Sequence, residues 1–143
     1  MDKTRIGIGS VNGYPFLSMD VRFALYKSVG FQSVMLWWGE GEKETRKERA
    51  ELVRKHNLHI ENVHADMARS NSIWLPGLTG DDDEHTFPLT GTVDWINTMS
   101  TIDRSPYSGC LLLETEYRGD ENIEQLNEFL TFTLQSGYAL AQL

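Results

Sequence analysis

Cysteine is almost missing from this chain. Cys110 stands alone inside the apolar run CLLL, and one thiol cannot build an internal disulfide framework. Its setting predicts burial as a small hydrophobe. Basic charge is also short: 13 Lys and Arg stand against 21 Asp and Glu, for a net charge of -8. That balance disfavours DNA, RNA and anionic membrane surfaces, which are recognised by clustered cations. The basic residues between 46 and 55 alternate with Glu48 and Glu51 and follow Glu44, as on a solvated helix face. No run approaches the ~20 apolar residues of a membrane helix. The opening MDKTRIGIGS holds no apolar stretch long enough for a signal peptide, so the expected location is the cytoplasm.

What is present is a strand–helix alternation. With 40% apolar residues, a packed core is available. TRIGIGS, 4–10, reads as a buried strand with Ile6 and Ile8 on one face and Gly7 and Gly9 on the other. Ser18 is placed to cap a helix ending at Val29, with Gly30 as its C-terminal stop. SVMLWW, 33–38, is a continuous apolar run of the kind parallel strands show when covered on both faces. A charged helix over roughly 44–56 and a strand HIENVHA, 59–65, follow. Residues 66–91 lack periodicity and are rich in Gly, Asp, Thr and Pro. A segment this long inside a compact domain is usually functional or disordered.

Thr92 opens a helix to Arg104, with Val93, Ile96, Met99 and Ile102 at helical spacing. CLLLETEY, 110–117, is the fourth strand. Asn122 and Gln125 resemble a capping box opening a last helix through Leu126, Leu130 and Leu134. The order β-α-β-α-β-loop-α-β-α predicts parallel strands joined by right-handed crossovers. At 143 residues the chain falls short of the ~200 that a closed eight-fold barrel of such units takes at minimum. Two architectures fit: a (βα)4 half-barrel with helices on one face, closing to (βα)8 as a two-fold homodimer, or a small open sheet between two helical layers.

In parallel α/β folds ligands sit beyond the carboxyl ends of the strands. That rule selects Gly9 and Ser10, Trp37 to Glu40, His64 and Asp66, and Glu114 and Glu116. Gly9 and Ser10 fit a plain strand exit as well as a ligand contact. His64 fits a core histidine bonded to a carbonyl, and equally a metal ligand or substrate contact. Glu114 ends LLLE, where a carboxylate is hard to bury without a partner, so a role at the mouth is favoured. Alternation places Glu116 on the same face and Thr115 on the other. Glu116 also fits a solvated strand-end charge. Asp83-x-His85 has a chelate spacing, yet it lies in a four-acid run that also suits a solvated loop. The pair Trp37-Trp38 suits core on one side and an apolar wall for a sugar ring on the other. His56 and His59, around a helix end, read as structural.

ENVHADM, NSIWLPGLTGDD, DDDEHTFPLTGTVDW and GCLLLETEY, in this order, resemble the xylose-isomerase-like barrel superfamily. That group holds sugar-phosphate isomerases/epimerases, tagatose-type ketose epimerases, hydroxypyruvate-isomerase-like enzymes and zinc-dependent apurinic endonucleases. The resemblance covers nearly the whole chain as a single domain, discontinuously. Residues 1–80 look like the first three βα units and 81–143 like the last ones, with a junction near Gly80 to Asp83 and strands four to seven absent. It implies a TIM-barrel-derived half-barrel, a divalent metal (Mn²⁺, Mg²⁺, Co²⁺ or Zn²⁺) and a sugar or sugar phosphate as ligand. Glu114 becomes a metal ligand and catalytic acid/base, and His64, Asp83 and His85 become further metal ligands. Trp37, Glu40 and Glu116 are the expected substrate contacts. The family's fifth-strand glutamate, sixth-strand acid and seventh-strand histidine have no counterpart.

With the fourth strand set beside the third, strand 110–117 is expected to pair with the partner's 4–10, and the contact between 59–65 and 110–117 to be new. The other outcome is a non-catalytic dimerising scaffold with no ligand.

Overall fold

The computed structural model describes residues 2–9, 16–38, 43–64, 87–90 and 93–143. Their elements run β1 (Asp2–Gly9), α1 (Met19–Val29), β2 (Ser33–Trp37), α2 (Arg46–Lys55), β3 (His59–His64), α3 (Trp95–Arg104), β4 (Cys110–Leu113) and α4 (Ile123–Ala141).

Local chemistry sets the helix ends. Ser18 Oγ accepts from the Val21 N–H, and Gly30 stops α1 at φ 120°, a left-handed value that an L side chain resists. Thr45 and Glu48 exchange side-chain-to-backbone bonds in a full capping box at the start of α2. Asn57, with φ 53°, turns the chain after α2. Asn122 Oδ1 accepts from the N–H groups of Glu124 and Gln125. The third helix starts later than Thr92 suggests: Asp94 is its cap, accepting from the Asn97 N–H at 3.1 Å.

The described strands form one parallel sheet in the order β3-β2-β1-β4. This corrects the expected neighbourhood of the fourth strand. It pairs with β1 of its own chain, Ile6 opposite Leu111 and Ile8 opposite Leu113, and stands at the edge away from β3. With β2 on its other side, β1 has no edge left to offer a partner's β4. The reason is packing. Helix α4 lies so close over β1 and β4 that a Cβ on Gly137 would come within 2.8 Å of both Ile6 Cγ2 and Leu113 Cδ1. One helix face thereby fastens the two strands side by side.

Alternation sends Ile6, Ile8, Val34, Leu36, Leu111 and Leu113 to one face of the sheet. There they share a core with Phe23 and Tyr26 of α1, Val53 of α2, Met99 of α3, and Leu126 and Leu130 of α4. The opposite face carries Gly7, Ser33 and Leu112. A Cβ on Gly7 would fall 2.7 Å from Ser33 Oγ and 2.8 Å from Leu112 Cδ1, so glycine lets β2 and β4 side chains meet over β1. On this face Ser33 of β2 and Cys110 of β4 meet at 3.3 Å across β1, so the sheet rolls inward there.

Candidate functional site

The carboxyl ends of the strands are pinned from the helices. Tyr26 of α1 donates its hydroxyl to the Gly9 carbonyl at 3.3 Å, so the end of β1 is held by the scaffold. Arg49, 3% exposed, donates from Nη1 to the Trp37 carbonyl at 3.0 Å and from Nε to the Glu44 carbonyl at 2.8 Å. Arg46 Nε donates to the Trp38 carbonyl at 2.9 Å. These arginines satisfy carbonyls that leave the ladder at the end of β2, and sequence reasoning had placed them on a merely solvated face. The signal available for Arg49 was its position one turn before Val53, on the buried side of α2.

Trp37 and His64 end their strands opposite one another in the β2–β3 register. Trp37 is half-buried. Glu114 and Glu116 follow β4 and both are exposed, while Thr115 and Tyr117 between and after them are buried. Thr115 and Thr133 share a hydroxyl hydrogen bond at 3.3 Å, and Tyr117 stacks edge-on against Phe129, so α4 holds this segment in register. The expected split of Glu114 and Glu116 from Thr115 is therefore present, although the strand itself closes at Leu113. Glu116 Oε2 accepts from Arg118 Nε at 3.0 Å. Glu40, Asp66, Asp83, His85, Ser10 and the side chain of His64 lie outside the described residues. His56 is structural, as expected: it and Lys55 hold Asp20, tying α2 to α1.

The metal can be tested on the donors themselves. Among the described residues no group of three or more His, Cys, Asp and Glu side chains is close enough to hold an ion. Of the carboxylates expected as ligands or substrate contacts, Glu114 and Glu116 are described, and Glu116 is engaged by Arg118. Mn²⁺, Mg²⁺ and Co²⁺ take six ligands and structural Zn²⁺ four, so the described part of one chain does not fit the metal.

A second polar cluster, at the opposite end of the strands, had no place in the sequence reading. Glu61 of β3 takes hydrogen bonds at Oε1 from Arg5 Nη2 of β1 and from the Cys110 N–H of β4, both at 3.2 Å. Its Oε2 lies 3.0 Å from the same Arg5 nitrogen. Ser33 and Cys110 side chains meet at 3.3 Å, and Tyr107 donates its hydroxyl to the Cys110 carbonyl at 2.8 Å. Burial pushes the Cys110 thiol and the Tyr107 phenol above their ordinary ranges. The available signal was a charge in the middle of the strand HIENVH, which demands a partner once the sheet is packed.

Among the described residues no helix is long and apolar enough to cross a membrane. Compared with known proteins, the chain matches no family model, no curated protein and no solved structure.

Proposed function

We propose that this chain is a half-barrel of xylose-isomerase-like descent that closes with a second copy of itself and receives a sugar or sugar phosphate at the shared mouth. The strand order β3-β2-β1-β4 carries the reading. In a closed eight-stranded barrel the eighth strand neighbours the first, and here the segment resembling the eighth does so. Helix α4, which follows it, packs on both.

Closure is supported by what the two flanks leave uncovered. Among the described residues neither β3 nor β4 pairs with a further strand, and an open strand edge is a template for another chain. A groove runs along β4 beneath α3, lined by Trp95, Met99, Ile102, Leu111 and Leu113. Trp95 Nε1 is buried there without a hydrogen-bond partner among the described residues, and a carbonyl of an incoming strand would satisfy it. Ile96 on α3 is 68% exposed and Val63 on β3 is 48% exposed. A two-fold axis along the barrel would set each β3 beside the partner's β4 and cover both residues twice.

The shared mouth would then carry two copies of Glu114, Glu116, His64 and Trp37. Carboxylates hydrogen-bond sugar hydroxyls, and an indole face packs on a sugar ring. The same doubled set of hard oxygens and imidazoles suits Mn²⁺, Co²⁺ or Zn²⁺. Glu114 is the residue we assign to proton transfer next to the sugar carbonyl.

Native mass spectrometry, with aldoses, ketoses and their phosphates added with and without Mn²⁺, tests the assembly and the ligand together. The expected result is a wild-type dimer that retains a sugar, and an Ile96→Asp variant that is folded and monomeric. Turnover of any bound sugar should vanish in Glu114→Gln. A wild-type protein that stays monomeric up to its solubility limit would sink the closed barrel.

A further inference from the structure

We infer that Glu61 is a clasp: it holds the two free edges of one half-barrel to each other and must let go before a second copy can take their place. This rests on the closed-dimer reading and concerns what restrains it.

The geometry is one of reach. In a flat four-stranded sheet the outer strands stand three spacings apart, about 14 Å. A glutamate side chain spans far less. Glu61 nevertheless bonds from β3 to the backbone N–H of Cys110 in β4, with Arg5 of β1 gripped on the way. Three of the four described strands thus converge on one carboxylate. The contact of Ser33 with Cys110 across β1 shows the same inward roll between β2 and β4. In an eight-stranded barrel, strands three places apart face each other nearly across a packed interior. The single chain is therefore rolled tighter at this end than its share of such a barrel. The edges that would meet a partner are instead bridged within one chain.

The clasp is built to release. Glu61 Oε2 lies 3.0 Å from Arg5 Nη2 and 3.9 Å from His59 Nε2, but Arg5 Nε is buried without a hydrogen-bond partner among the described residues, so the guanidinium is only partly satisfied. A half-buried pair with one donor left over recovers only part of its desolvation cost. The register between β1 and β4 also jumps between Asp2 and Ile6, beside the clasp, which loosens the ladder at that end. Opening the roll would free the Cys110 N–H.

Cys110 reports on the clasp, because it is buried and is the chain's single thiol. Glu61→Gln and Glu61→Ala, checked for folding by circular dichroism, are compared with wild type. The readouts are the rate of Cys110 labelling by a thiol reagent at dilutions where each protein is monomeric, and the dimer dissociation constant by sedimentation. Glu61→Ala should label faster and dimerise more tightly, each by about tenfold, the factor carried by one hydrogen bond to a charged group. A folded variant with unchanged labelling and unchanged dissociation constant overturns the clasp and leaves the closed dimer standing. Faster labelling with no dimer from any of the three proteins keeps Glu61 as the bond across the edges and overturns the closed dimer. Should both variants unfold, amide exchange of wild-type protein decides: free exchange of the Cys110 N–H overturns the clasp, and protection upholds it.

Discussion

The centre of the sheet and its two flanks are built to different standards. Under α1 and α4, the strands β1 and β2 bury Ile6, Ile8, Val34 and Leu36 completely, together with Phe23, Tyr26 and Leu130. On the flanks, Val63 of β3 is 48% and Ile96 of α3 68% exposed, Trp95 Nε1 has no hydrogen-bond partner among the described residues, and β4 is a short strand of 4 residues. The centre is a finished core. The flanks carry apolar side chains that the described residues leave uncovered. The difference follows from the strand order: among the described residues the middle strands have two neighbours each and the outer ones have one.

Phe23 marks the strength of the centre. It is fully buried at the centre, and Phe23→Ala should cost ~3–5 kcal/mol of stability, measured by urea denaturation. A cost near that of Ile96→Asp on the flank, about 0.5 kcal/mol or less for the monomer, would mean that the two regions do not differ as argued.

Gly7→Ala probes the roll of the centre toward the flanks. The new methyl would press on Ser33 Oγ and Leu112 Cδ1, and the expected cost is ~1–3 kcal/mol, measured by urea denaturation.

The smallest effect is expected between α1 and α2. Hydrogen bonds from Lys55 and then His56 hold the Asp20 carboxyl below its ordinary value of 3.8. A carboxyl lowered in the folded state stabilises the fold above its unfolded-state value, and the contribution fades as pH falls through the lowered folded-state value. Asp20→Asn should therefore flatten the acid side of the stability–pH curve below pH ~4 and leave neutral-pH stability nearly unchanged, because the carboxylate is substantially exposed. An acid limb identical to wild type would show that the bridge contributes nothing.

Much of this was legible one residue at a time. Ser18, Gly30 and Asn122 announce the ends of their helices because caps act within four residues of the chain. The opposite faces of Ile6 and Gly7, or of Glu114 and Thr115, follow from the two-residue period of a strand. Thr92 misled because Asp94, two residues on, offers a competent cap of its own. Arg49 was legible as helix but not as a carbonyl donor, since its acceptor on Trp37 is 12 residues away.

The elements, their order along the chain, their parallel sense and which side chains share a face can all be read from the residues alone. Each of those depends on local periodicity, capping and the length of a crossover. Only the tertiary structure decided that β4 lies beside β1 and that Glu61 reaches across the sheet to Cys110. Both depend on which apolar faces find each other at separations of dozens of residues: α4 over Ile6 and Leu113, and a charged side chain 49 residues from the N–H it binds. Such pairings are set by the shape of the packed core, and no short stretch of the chain contains that shape.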